Sequence, residues 1–246
     1  MIYKYVLAGA PSGGKTKGIE YLQKNLRLNG YKVYSVWETA TELIKSGLDR
    51  NDQLFPYYNY SLMLYKELLL EKNAINNREN AVILCDRGRM DAKAYRGEKV
   101  FKSILEQYPG TTEESVLNSY DGVIFLQTAA DGKDHSGYCQ DSIRTETPEM
   151  ALSLQDSLFE VWKRHKKLIY IPFYENFEEK LKRLEFEIVN DIDRREQQRL
   201  TLEQFIAYTD KLDISKSKML EEVESVIATI NPRLLEGVVA KENLER

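Results

Sequence analysis

The sequence predicts an α/β fold built around a mainly parallel five-stranded sheet. Short apolar or β-branched runs alternate with stretches of helical periodicity, and this alternation implies crossover connections between parallel strands. Three of the runs, at 81–84, 122–126 and 168–171, are almost wholly apolar, which is typical of strands covered by helices on both faces. A glycine-rich loop at 9–16 follows the first run directly, as expected where a strand gives way to a helix.

Composition narrows the class of protein. Hydrophobic residues make up 42% of the 246 residues and charged residues 30%, which suits one α/β domain with an extension. The net charge of −4 offers no attraction to polyanions, so we expect no nucleic-acid partner. Cys85 and Cys139 fit neither a disulfide framework nor a zinc pattern and favour a reducing compartment. With neither a signal peptide nor a membrane span expected, the sequence predicts a cytoplasmic protein.

The first predicted elements follow from residue type and spacing. β-branched and aromatic residues predict a strand at 2–8, ended by Gly9. A helix is predicted at 15–28, on whose apolar face lie Ile19, Leu22 and Leu26. A second strand is predicted at 32–37 and a short helix at 39–46.

The next helix is predicted at 57–72, because Pro56 is expected to interrupt regular structure just before it. Its spacing predicts a buried face formed by Leu62, Tyr65 and Leu69. Three neighbouring aromatic residues are interpreted as core, with the lining of an acceptor pocket as the alternative: Tyr57, Tyr58 and Tyr60.

The last third of the chain combines a long polar loop with helical patterns. Residues 128–147 hold no periodic pattern, and a loop of that length inside a domain is usually functional or disordered. After Pro172 one helix face is predicted, formed by Phe177, Leu181, Leu184, Ile188 and Ile192. From Arg194 the composition becomes highly charged, with two weaker helical patterns. We therefore predict a core domain at 1–193 and a helical extension at 194–246 that offers a surface for a protein partner.

The loop GAPSGGKT is a complete P-loop pattern, placed as required between a predicted strand and a predicted helix. Its glycines let backbone N–H groups ring the phosphates at a helix N-terminus. Lys15 would bridge the β- and γ-phosphates and the Thr16 hydroxyl would hold Mg²⁺. The predicted nucleotide-binding residues are Gly9, Pro11, Ser12, Gly13, Gly14, Lys15, Thr16 and Lys17. The alternative, a turn that merely joins strand to helix, would not require Lys or Thr at these positions.

A second motif, ILCDRGRMD, carries a carboxylate at the edge where open α/β sheets bind ligands. There Asp86 can hold Mg²⁺, accept a proton from an attacking hydroxyl, or cap the next helix. Arg87 and Arg89 would grip the phosphate or sugar of an acceptor, or be solvated. Glu38 ends the second strand at the same edge, where a substrate contact and a helix N-terminal charge are both open.

The polar loop carries Arg144 between threonine and glutamate residues. Phosphotransferases often close a mobile segment over the triphosphate and supply an arginine to the transferred group. A catalytic lid arginine and a solvated loop arginine both remain open. The histidines, His135 and His165, are interpreted as solvated.

Four stretches in order, GAPSGGKT, VWETATELIKSG, VILCDRGRMDAKAY and IRTETPEMALSLQ, resemble the NadR-type P-loop domain family. Within it the sequence is most similar to the nucleotide-binding domain of the TRPL translocation defect proteins, over about residues 2–193. The resemblance implies a kinase-like, three-layer α/β/α P-loop NTPase fold that binds ATP or GTP with Mg²⁺. It places Asp86 and Arg87 on the family's DR pair, Arg144 on its lid arginine and Glu38 on the acid before its ATA/ATE stretch.

The resemblance leaves the reaction open. Some similar proteins are ribosylnicotinamide kinases and others are GTP-binding proteins in trafficking, but this sequence has neither a nucleotidyltransferase domain nor a large second domain. We predict a phosphotransferase that moves the γ-phosphoryl group to a small acceptor, such as a nucleoside or nucleotide, with Lys15, Asp86 and Arg144 catalytic. The alternative is a nucleotide-dependent switch with slow hydrolysis that recruits a protein partner. An NKxD-type guanine signature is missing, which leaves ATP and GTP both open.

Overall fold

The computed structural model describes residues 1–28, 30–132, 138 and 147–211. The chain divides into two units, Met1–Val189 and Asn190–Arg246, and each is described by itself. The first unit contains the sheet and the helices that cover it. Of the second unit the structure describes the final part of one helix.

The sheet has five parallel strands in the order β2-β3-β1-β4-β5. The strands are β1 (Ile2–Ala8), β2 (Lys32–Val36), β3 (Ala81–Asp86), β4 (Gly122–Leu126) and β5 (Leu168–Ile171). All five predicted strands are confirmed, with β2 one residue shorter than predicted. β3 is two residues longer, because Cys85 and Asp86 continue the ladder opposite Val6 and Leu7. Tyr170 of β5 is 44% exposed, so this edge strand is covered less completely than its apolar sequence predicted.

Helices cover both faces of the sheet, which confirms the α/β P-loop NTPase fold. They are α1 (Lys15–Leu28), α2 (Thr39–Lys45), α3 (Phe55–Asn76), α4 (Asp91–Leu105), α5 (Glu113–Leu117), α6 (Pro148–Trp162) and α7 (Phe177–Lys211). A short 3₁₀ turn, Ala129–Asp131, follows β4. None of the helices within the described ranges is long and apolar enough to cross a membrane.

The two sides of β1 build the two halves of the core, because consecutive strand residues point to opposite faces. Leu7 lies on one face, where a Cβ atom added to Gly18 of α1 would lie 3.3 Å from its Cδ2 and 2.7 Å from Leu184 Cδ2 of α7. Val6 lies on the other face, in a buried cluster with Trp162 of α6. This close packing on both faces fixes the loop that leaves the carboxyl end of β1.

The buried face of α3 differs from the sequence prediction. Tyr65 and Leu69 are 64% and 50% exposed, whereas Tyr60 and Glu67 on the other side are buried. Apolar residues occupy all sides of this helix, so periodicity could not identify the side that packs. Pro56 lies in the first turn of α3, where its missing N–H costs nothing, and not before the helix as predicted.

Three other sequence predictions need correction or stay untested. His165 is buried and not solvated: its Nε2 lies 3.0 Å from the carbonyl oxygen of Tyr120, and its Nδ1 accepts a hydrogen bond from Lys167 N. α7 continues past Arg194 to Lys211, into the charged segment in which helical patterns were predicted. The domain boundary after residue 193 stays a prediction. The last residue of the first weaker helical pattern, Leu212, lies outside the described residues, as does the whole second pattern: Leu220, Val223, Ile227 and Ile230.

Candidate functional site

The P-loop lies at a topological switch point of the sheet. β1 is flanked by β3 on one side and β4 on the other, and ligands of open α/β sheets bind outside the carboxyl ends of the strands at such a point. Gly9 and Gly14 have φ values of +129° and +89°. A Cβ atom at Gly9 would lie 2.2 Å from the carbonyl oxygen of Leu126, and one at Gly14 would lie 2.6 Å from the Phe177 ring. The loop therefore requires glycine at both ends.

The segment after β4 holds the P-loop in place. The buried Thr128 hydroxyl donates to the carbonyl oxygen of Pro11, and Ala129 N donates to Ser12 O at 3.2 Å. Gln155 of α6 accepts from Thr128 N at 2.6 Å. The loop is thus organised before any ligand arrives, which lowers the conformational cost of binding.

Lys15 is folded back over the loop that it follows. Its Nζ donates to the carbonyl oxygens of Gly9 and Ala10, at 2.8 Å each, and the side chain is buried. Burial, with the nearby Arg87 charge adding to it, lowers the pKa of Lys15 from 10.5 to about 7. An anion bound in the loop would favour the charged form of the amine.

Thr16 and Asp86 join the loop to the neighbouring strand. Leu7 and Asp86 are paired residues of β1 and β3, and the Thr16 hydroxyl donates to Asp86 Oδ2 at 2.7 Å. Asp86 is buried, and burial raises the pKa of its carboxyl. It does not cap the next helix, because the N-cap residue of α4 is Met90 and no side-chain hydrogen bond caps the start of that helix.

These two side chains fit a magnesium ion. The second carboxylate oxygen of Asp86, Oδ1, is buried without a hydrogen-bond partner, and hydroxyl and carboxylate oxygens are the ligands that Mg²⁺ prefers. Within the part of the chain that the structure describes, no group of three or more His, Cys, Asp or Glu could hold a metal. The site therefore suits an ion that takes its remaining ligands from phosphates and water, as Mg²⁺ commonly does.

Glu38 and Arg87 form an ion pair beside the loop. Glu38 Oε1 accepts from Arg87 Nε, and its Oε2 accepts from the Thr41 hydroxyl at 2.9 Å. Burial alone would raise the pKa of Glu38, but the charge and hydrogen bond of Arg87, with Lys15 and Thr41, lower it to about 2. Glu38 is therefore fully ionised at neutral pH and is a weak base.

Asp91, the first residue of α4, completes this charged group. Its Oδ1 accepts from the indole Nε1 of Trp162 at 2.6 Å, and its Oδ2 lies 3.8 Å from Arg87 Nη1. The side chain is buried, and burial raises its pKa to about 6 although Arg87 opposes the shift. Asp91 is the last residue of the motif ILCDRGRMD, but an acid in the first turn of a helix ordinarily reflects the helix dipole. The sequence signal that could have identified Asp91 is its position four residues after Arg87.

A cleft opens beside the loop, between α2, α3 and α4. Pro11 of the P-loop lines it together with charged residues, Glu38, Arg50, Arg87, Asp91 and Arg96. Apolar and aromatic residues line the remainder, including Ile44, Phe55, Tyr60, Met63 and Tyr95. Clefts with this mixture of apolar and charged lining are typical of small-molecule sites.

Comparison with known proteins assigns the family. A family model described as an AAA domain matches residues 4–180, most of the first unit. The chain belongs to the AAA domain family. A comparison with curated proteins gave no match. The AAA domain of this chain is a P-loop domain of the nucleotide-binding type.

The AAA domain brings most of the predicted site residues together, but two stand apart. Arg89 lines the cleft, yet its guanidinium donates to Glu67 Oε2, Tyr60 OH and Ser119 Oγ, so it anchors a buried network. Lys17 extends its side chain into solvent and pairs with Glu20 at 2.9 Å. Their predicted ligand contacts stay predictions. Three residues of the polar loop lie outside the described residues: His135, Cys139 and the lid candidate Arg144.

Proposed function

We propose that this AAA domain transfers the γ-phosphoryl group of ATP or GTP to a small acceptor bound in the cleft. The observation that supports the proposal is the adjacency of two sites. Pro11 belongs to both the P-loop and the cleft, and the cleft carboxylates Glu38 and Asp91 act electrostatically on Lys15. An acceptor in the cleft would therefore lie beside the phosphates that Lys15 binds.

Some residues of the site would bind the phosphates, and others would hold the ion that stabilises their charge. The P-loop N–H groups and Lys15 would hold the phosphates, and Thr16 with Asp86 would hold Mg²⁺. The ion, when bound, supplies positive charge to the phosphate oxygens. The proposal includes Arg144 as the lid arginine. It also includes the resemblance to NadR-type domains, some of which are ribosylnicotinamide kinases, and this resemblance supports a nucleoside-like or nucleotide-like acceptor.

A nucleotide-dependent switch is the second candidate. The observation that favours it is a set of apolar side chains at least half exposed on α3: Tyr65, Leu68, Leu69 and Ile75. Clustered exposed apolar residues are typical of surfaces that bind another protein. In this case hydrolysis would be slow and the bound nucleotide would control a protein partner.

Phosphorus NMR separates the two candidates. Purified protein with Mg²⁺ and either triphosphate is incubated with a panel of nucleosides, nucleoside monophosphates and sugars. A new phosphoester resonance that depends on one acceptor, and that is lost in Asp86→Asn, supports transfer. Slow release of inorganic phosphate alone supports the switch and contradicts the transferase. Failure to bind either triphosphate in calorimetry contradicts both.

A further inference from the structure

Unpaired buried polar atoms concentrate at one edge of the cleft. Asp86 Oδ1, Arg87 Nη1 and Asp91 Oδ2 are buried without a hydrogen-bond partner, and Arg199 Nε, in the second unit, is the remaining such atom among the described side chains. Buried polar atoms without a hydrogen bond are rare in proteins, because each loses the bonds that it makes to water in the unfolded chain. Asp86 Oδ1 is accounted for by the magnesium site, which leaves a guanidinium N–H and a carboxylate oxygen.

These two atoms face each other but do not bond. Arg87 Nη1 and Asp91 Oδ2 are 3.8 Å apart, beyond hydrogen-bonding distance. Both side chains are held by their other atoms, Arg87 by Glu38 and Asp91 by the Trp162 indole N–H at 2.6 Å. Closing the gap would disturb these bonds, so a third group is needed to satisfy both atoms.

A group that bonds to both atoms must accept from a guanidinium and donate to a carboxylate. A phosphate or carboxylate accepts but would be repelled by Asp91, and an ammonium donates but cannot accept from Arg87. A hydroxyl group, like a water molecule, does both, and its oxygen can lie about 2.8 Å from each of two atoms that are 3.8 Å apart. We propose that a hydroxyl group of the acceptor binds between Arg87 and Asp91, and that Asp91 accepts its proton during transfer.

The inference rests on the proposed function and defines the acceptor as an alcohol or sugar. The hydroxyl oxygen forms a bond to the γ-phosphorus, and the bond from that phosphorus to the β–γ bridging oxygen breaks. The nucleoside diphosphate leaves with the electron pair, and the hydroxyl proton passes to Asp91 Oδ2. Glu38 is a poor alternative base, because two donors hold its carboxylate and its pKa is about 2.

The environment of Asp91 suits this role. Burial raises the pKa of Asp91 to about 6, against the opposing effects of Arg87, the Trp162 hydrogen bond and Lys15, while Glu38 adds to the rise. A base acts best when its pKa is near the working pH. The transfer rate should therefore fall as pH is lowered through about 6.

The first test compares Asp91→Asn with Glu98→Gln, a carboxylate-to-amide control at an exposed position of the same helix. We expect Asp91→Asn to lower the acceptor-dependent kcat by about 10²–10⁴-fold and to remove the acid limb of its pH profile. The triphosphate Kd should stay within about twofold, and Asp91→Glu should recover part of the rate. Unchanged kcat in Asp91→Asn, with transfer intact in wild type, overturns the inference and leaves the proposed function standing.

The second test needs no turnover, because Trp162 reports on the site directly. The chain has two tryptophans, so Trp37→Phe assigns the indole N–H resonance of Trp162. We expect nucleosides and sugars that carry the reactive hydroxyl to shift this resonance, and analogues with hydrogen in its place to shift it much less. Equal shifts by both overturn the hydroxyl site. Hydroxyl-dependent shifts without transfer support the site but overturn both the proposed transfer and the role of Asp91 as base.

Discussion

At the scale of single residues, this site keeps ionisable side chains buried where packing alone would favour apolar ones. Lys15, Asp86, Arg87 and Asp91 are all buried, and burial of an ion costs several kcal/mol unless partners satisfy it. Here pairing is partial, since Asp86 and Asp91 each keep one oxygen without a hydrogen bond. Residues that cost stability and stay in place are typical of a functional site.

Asp91 offers a direct measurement of that cost. Its pKa is about 6 in the folded protein against 3.8 for an unperturbed aspartate, so the unfolded chain loses the proton first and stability falls as pH rises through this window. The loss of folding stability caused by Asp91 reaches its full size above pH 6. We expect Asp91→Asn to raise the free energy of unfolding by about 1–2 kcal/mol at pH 7.5, and by about half as much at pH 5. Urea unfolding at the two pH values checks this. A variant that is less stable at both would show that Asp91 is a structural residue.

Lys15 should contribute to binding and little to folding. Burial lowers its pKa to about 7, so its charge is not favoured in the ligand-free protein. We expect Lys15→Ala to weaken triphosphate binding at least tenfold with the ligand-free melting temperature nearly unchanged. Calorimetry measures the affinity, with Lys24→Ala on the exposed side of α1 as the control. Unchanged affinity in Lys15→Ala would contradict the assignment of the P-loop.

At the scale of elements, predictability follows from how locally each feature is determined. The strands and the P-loop were predictable because each is determined by a few neighbouring residues, an apolar run for a strand and a glycine pattern for the loop. The buried side of α3 was not, because it is set by Glu67, whose carboxylate meets Lys4 and Arg89 from distant segments. The roles of Asp91 and His165 also depend on burial by other elements. The missing information was tertiary in each case.

The two P-loop glycines should respond differently to alanine. At Gly9 the new Cβ would lie 2.2 Å from a backbone oxygen, which cannot move aside, whereas at Gly14 it meets the half-exposed ring of Phe177. Both also carry the strain of a positive φ. We expect Gly9→Ala to cost roughly 3 kcal/mol or more of unfolding free energy and Gly14→Ala about 1–2 kcal/mol.

Gly47→Ala is the matched control for this comparison. Gly47 has a φ of +98° with no atom within 4 Å of an added Cβ, so its variant measures backbone strain alone. Equal losses at all three positions would mean that the contact with Leu126 does not constrain the loop. Chemical denaturation of the three variants under one set of conditions gives the comparison.

At the scale of the whole molecule, one unit carries the whole described site. The match to the AAA domain family, residues 4–180, lies within Met1–Val189, as do the P-loop and the cleft. A ligand that binds only the folded form therefore stabilises this unit by mass action. Trp37 and Trp162 are the two tryptophans of the chain and both lie in this unit, so selectively excited tryptophan fluorescence reports its unfolding.

This property turns thermal unfolding into a test of nucleotide choice and of the metal site. At a triphosphate concentration of 100 times Kd, the gain is about 2.7 kcal/mol, which raises the melting temperature by roughly 5–10 °C for a unit of this size. We expect one of ATP and GTP to give the larger shift, and EDTA or Asp86→Asn to reduce it, because Thr16 and Asp86 then lose the ion that they share with the phosphates. A shift that is identical with and without Mg²⁺ would contradict the metal site. No shift with either triphosphate would contradict nucleotide binding by the P-loop.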